Sequence, residues 1–180
     1  IFGDVLTEVY GYARTRKVIW AGFIAMLFAT IMGLFVIHLP ADPEEPFNAV
    51  IQPALEVVFG STGRIVVASI AAFWCGDFMN SYVMAKMKVW TEGRHLWTRT
   101  IGSTAVGQLV DSALFYPIAF LGTWEPGTMM KVIAFNWAFK VSVEIVFTPV
   151  TYAIVGWLKR RENEDWYDRH TDFTPFSLKD

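Results

Sequence analysis

Four stretches of this chain are too long and too free of charge to sit at the surface of a water-soluble protein. Val18 to Leu39 holds 22 residues with no Asp, Glu, Lys or Arg. Ile65–Ala85 contains only Asp77, Thr100–Thr123 only Asp111, and Val132–Leu158 only Lys140 and Glu144. Each exceeds the roughly 20 residues needed to cross a hydrocarbon core as a helix. Core helices of soluble proteins keep one polar face, and these stretches do not. Only 18% of the 180 residues are charged, and they cluster between the stretches. A soluble domain would carry about 25%. The fold class that follows is an all-α membrane protein, a transmembrane helix bundle.

The loops set the expected topology. Arg14, Arg16 and Lys17 precede span 18–39, and Asp42, Glu44 and Glu45 follow it. Lys86, Lys88, Arg94 and Arg99 separate spans 65–85 and 100–123. Trp124–Met130 carries Glu125 and no basic residue, and Lys159, Arg160 and Arg161 follow span 132–158. By the positive-inside rule, residues 13–17, 86–99 and the polar tail 159–180 are cytoplasmic. The apolar run 48–60 contains Gln52, Pro53 and Glu56 and is too short to span, so a re-entrant or interfacial helix on the outer side is expected. Residues 1–12 read as the end of a span that begins upstream, which predicts six spans in all.

Three hexamers share the pattern Gly-polar-x-x-polar-polar: Gly3-Asp4-Val5-Leu6-Thr7-Glu8, Gly76-Asp77-Phe78-Met79-Asn80-Ser81 and Gly107-Gln108-Leu109-Val110-Asp111-Ser112. On a helix their polar positions share a face. Counting from the basic loops places Asp4, Asp77, Gln108 and Asp111 roughly 13–18 Å into the membrane at ~1.5 Å per residue. Lys140 and Glu144, counted from Lys131, reach the same layer. Five ionisable groups facing lipid there would cost on the order of 10–15 kcal/mol, so they must face one another, water or a ligand. Lys140 can pair with Glu144 at i, i+4, or neutralise Asp77 or Asp111 across the bundle. The excess of carboxylates suits a cation or a ligand rich in N–H donors. Interhelical hydrogen bonding alone would need only neutral groups such as Asn80, Ser81 and Ser112.

Phe73, Trp74, Phe78, Phe115, Tyr116, Trp137 and Phe139 flank the layer, and a flat ligand could stack on some of them. Ala21, Ala25 and Ala29 make a small-residue stripe suited to internal helix packing, with a second subunit as the alternative. Cys75 is the single cysteine, and no metal or haem spacing occurs. No phosphate-binding loop of the GxxxxGK[ST] type occurs, so an energising ATPase would be an external partner. His38, His95 and His170 lie at span ends or in loops and form no catalytic grouping, which argues against an enzyme. A proton or cation channel remains the alternative to a carrier.

The segment Gly3 to Gly11, the segment Gly107–Ser112 running on to Phe115, and Phe139-Lys140 with Glu144 and Pro149 resemble the queuosine-precursor transporter family, also described as vitamin-uptake-like integral membrane proteins. The resemblance implies a six-helix fold like the substrate-binding subunits of energy-coupling-factor transporters. It implies uptake of 7-deazaguanine bases (preQ0, preQ1 or queuine) across a bacterial cell membrane, without a cofactor, metal or nucleic acid partner. A deazaguanine presents N–H donors that a carboxylate accepts in paired geometry, and the aminomethyl arm of preQ1 is cationic. On this footing Asp111 or Glu144 would hold the guanine edge, and Gln108 or Asn80 would contact the O6 or pyrrole side. Asp4, Asp77 and Glu8 are alternative acids, Lys140 positions a carboxylate, and Ser112, Phe115 and Trp137 complete the expected wall.

Overall fold

A computed structural model describes residues 1–40, 42, 44–59 and 63–177. Among these it contains six α-helices: α1 Phe2–Tyr10, α2 Tyr12–Ile37, α3 Asn48–Phe59, α4 Gly63–Trp90, α5 Leu96–Phe120 and α6 Pro126–Glu162. Of the helices, α2, α4 and α6 are long and apolar enough to cross a membrane. With 25 residues α5 is also long enough, but Arg99, Gln108 and Asp111 make it more polar. Gly60, the last residue of the expected re-entrant segment, and residues 178–180 of the tail lie outside the described residues.

Helix ends follow local chemistry. Gly11 separates α1 from α2 with φ of 83°, a left-handed value that an L side chain rarely adopts. The tight turn between α4 and α5 uses three such values, at Glu92, Gly93 and His95, and so folds α5 back against α4 as a helical hairpin. Pro126 starts α6 at a position whose N–H would be unpaired anyway. Helix α5 stops at Phe120, short of Thr123, because Leu121 is extended and Gly122 is left-handed.

The bundle is built around the α4–α5 hairpin, with α6 against α5, α2 against α4, and the short α1 inserted between α2, α4 and α6. The buried apolar core lies toward the end that carries Lys88 and Arg99, called here the basic end. One cluster joins Val5 and Val9 to Met84, Leu96 and Val155, and a second joins Tyr12 and Ile19 to Phe78 and Ala85. With only 12 residues, α3 lies against α2, where Gln52 donates to the Ile37 carbonyl at 2.9 Å.

The tail, which the sequence shows only as a polar extension, folds back along the bundle. The Trp166 N–H donates to the Val9 carbonyl, the Tyr12 N–H reaches both Asp168 carboxylate oxygens, and Trp20 Nε1 donates to the Pro175 carbonyl. The alanine stripe, expected to pack internally, meets no other helix among the described residues: Ala21, Ala25 and Ala29 are all exposed.

Candidate substrate-binding cavity

Two glycines bring the polar faces of α4 and α5 together. A Cβ placed on Gly107 would lie 2.7 Å from the Asn80 Cβ, and one on Gly76 would lie 3.0 Å from the Asp111 Cβ. No side chain larger than hydrogen fits this crossing, so the hexamers of the two helices interlock. Beside it opens a cavity of about 340 Å³, lined by Ile1 and Gly3 of the α1 end, Asp77 and Asn80 of α4, Thr104 and Gln108 of α5, and Phe139, Lys140, Val143 and Glu144 of α6.

Donors and acceptors in this cavity are unbalanced. Asp4, fully buried, accepts from Asn80 Nδ2 at 2.8 Å and from Ser103 Oγ at 3.3 Å on the same oxygen. Its other oxygen lies 2.7 Å from the backbone nitrogen of Ile1, which is also 3.5 Å from a Glu144 oxygen. Lys140 donates to Asp111 at 2.9 Å. Among the described residues, the buried Asn80 Oδ1, Gln108 Oε1 and Glu144 Oε1 have no hydrogen-bond partner. All three are acceptors, they come from three helices, and a buried acceptor without a donor is costly. Asp77 makes no hydrogen bond or ion pair with any described residue.

The structure therefore brings Asp77, Asn80, Gln108, Lys140 and Glu144 to one cavity, with Asp4 behind Asn80 and Asp111 behind Lys140. Other expected wall residues lie elsewhere. Phe115 joins Tyr116 and Phe120 in an aromatic group near the opposite end of α5. Trp137 donates Nε1 to the Ala105 carbonyl at 2.8 Å and ties α6 to α5. Ser112 is fully buried, its hydroxyl without a partner, outside the cavity lining. Thr104 and Val143 are lining residues that the polar pattern missed; they sit one turn from Gln108 and Lys140 on the same faces.

Glu8 is also away from the cavity, one helical turn toward the basic end. Its carboxylate accepts from Arg99 Nε at 2.7 Å, from an Arg99 terminal nitrogen at 2.8 Å and from Lys159 at 2.6 Å. Lys88 donates to the Glu8 carbonyl, to Asp165 at 2.6 Å and to the Trp166 carbonyl at 2.7 Å. Lys159 also pairs with Asp165 at 2.8 Å. Burial alone would raise the Asp165 carboxyl, but the hydrogen bonds from Lys159 and Lys88 hold it below its ordinary value. Lys88, Arg99 and Lys159, which look like loop charges in the sequence, instead clamp α1, α4, α5, α6 and the tail beneath the cavity.

Residues 1–154 match the family described as "Putative vitamin uptake transporter". A probable queuosine precursor transporter of Bacillus subtilis (strain 168) is 34% identical over 152 residues, which cover 83% of this chain and 64% of that protein. The queuosine precursor transporter of Escherichia coli (strain K12) is 23% identical over 155 residues, covering 84% of this chain and 66% of that protein. A probable queuosine precursor transporter of Haemophilus influenzae is 24% identical over 164 residues, covering 84% and 62%. The chain thus spans just under two thirds of the length of each. No solved structure matches it.

Proposed function

Because the chain belongs to the vitamin uptake transporter family, we propose that it forms the substrate-binding part of a membrane carrier for queuosine precursors, the 7-deazaguanine bases. The basic end then faces the cytosol of a bacterial cell, with the tail on the inner side. The observation that carries this reading is the trio of buried, unpartnered acceptors on Asn80, Gln108 and Glu144.

A deazaguanine supplies what those oxygens lack. Its N1–H and exocyclic amine are adjacent donors in one plane, matched to a carboxylate such as Glu144. The pyrrole N–H is a further donor, suited to Gln108 or Asn80. Phe139 stands at the cavity edge, where a flat ring can lie against it. The Asp111–Lys140 pair sets the Lys140 ammonium at the wall, from which it can reach a ligand carbonyl oxygen. No bond is made or broken in this scheme, so the protein acts as a carrier rather than an enzyme.

Equilibrium binding of labelled deazaguanines to the purified full-length protein tests it. Glu144→Gln and Asp111→Asn, made singly, are each expected to weaken binding about tenfold or more, the cost of one charged hydrogen bond or a lost positioning partner. Unchanged affinity in both variants would remove the assignment of this cavity.

A further inference from the structure

We propose that transport of the base is coupled to protons and that Asp77 is the group that carries the proton. The proposal rests on the cavity being the base site.

Asp77 differs from Asp4 and Asp111 of its layer. Asp4 has Asn80 and Ser103, and Asp111 has Lys140. Asp77 lines the same cavity and has no donor or cation among the described residues. The charged side chains that face it are Asp4 from α1, Asp111 from α5, and Lys140 and Glu144 from α6. Lys140 is held by Asp111. No further cation among the described residues neutralises Asp77, and its carboxylate neighbours repel a further negative charge.

An unpaired carboxylate midway along an apolar helix is costly, and a proton removes the charge without needing volume. The incoming base is met by other groups. Glu144 lines the cavity and is only 2% exposed, and its buried Oε1 has no hydrogen-bond partner among the described residues, an acceptor open to a ligand donor. Base and proton therefore load the same cavity on different residues. One proton adds to the Asp77 carboxylate as the base enters and leaves it when the base is released.

The test uses the full-length protein in proteoliposomes and the nitrile-bearing, uncharged deazaguanine, so that no ligand ammonium can stand in for the proton. An outside pH two units below the inside is expected to raise uptake about tenfold, and a protonophore to abolish the increase. In Asp77→Asn the ratio of uptake with and without the gradient should fall to one, whatever uptake remains. Should that variant fail to fold, Asp77→Glu must keep a ratio above one with a shifted pH profile. Wild-type uptake that ignores the gradient, or a gradient ratio retained in Asp77→Asn, overturns proton coupling and leaves the base carrier standing. A wild-type protein that neither binds nor moves the base overturns the carrier reading and this proposal with it.

Discussion

Arg99 grips both carboxylate oxygens of Glu8, through Nε at 2.7 Å and a terminal nitrogen at 2.8 Å, where neither side chain is more than 2% exposed. A two-pronged contact of this kind needs the planar guanidinium, so lysine is not an equivalent. Arg99→Met leaves a buried carboxylate short of its main partner and is expected to destabilise the bundle by about 3–5 kcal/mol. Thermal unfolding in detergent measures this, and Arg99→Lys should recover only part of the loss.

Gly107→Ala sets a methyl group 2.7 Å from the Asn80 Cβ and forces α4 from α5. The expected cost is about 1–3 kcal/mol, together with loss of base binding as the cavity walls shift. Gly156 on α6 is the control, since a Cβ there meets nothing within 4 Å. Gly156→Ala should be neutral or stabilise the helix by up to about 1 kcal/mol.

Asp111 and Lys140 are both partly exposed, at 24% and 38%, so their ion pair holds a wall more than it stabilises the fold. Either single neutralisation should weaken base binding about tenfold with little change in melting temperature. Binding measured in the Asp111→Asn, Lys140→Met and combined variants gives the coupling. A double variant no worse than either single one identifies the two as a unit.

Asp165 makes tail docking depend on acid. Its folded-state value lies below the ordinary one, so its contribution is fully present above about pH 3.9 and fades as pH falls through the lower, folded value. Protease sensitivity of the tail should therefore be flat from pH 8 to about pH 5 as far as Asp165 is concerned. Asp165→Asn should expose the tail to cleavage at neutral pH. A variant as resistant as the wild type would remove Asp165 from the docking contacts.

The convergence of polar groups was legible because helices have a fixed rise. Counting residues from basic loops needs no knowledge of packing, and Asp77, Asn80, Gln108, Lys140 and Glu144 do line one cavity. Depth is not direction, however. Glu8 sits at the far end of the same hexamer as Asp4, and only tertiary contacts show that it turns to Arg99. The same limit hid the role of Lys88, Arg99 and Lys159, since charge near a span end looks alike whether it meets water or a buried carboxylate. The tail was illegible for another reason. Its contacts are largely made through backbone groups, as when Trp166 N–H meets Val9 or the Pro175 carbonyl meets Trp20, and these leave no periodicity to read.

Helix α1 has nine residues and is about 13 Å long at ~1.5 Å per residue. It carries Asp4 behind the cavity wall and Glu8 in the ion cluster, and it joins α2 at the left-handed Gly11. A rod so short does not bend between those two side chains. Whatever pulls on Asp4 from the cavity therefore pulls on the clamp at the basic end through Glu8. A shift of Asp4 is thus delivered directly to the Arg99 and Lys159 contacts of Glu8, with the left-handed Gly11 at the end of the rod.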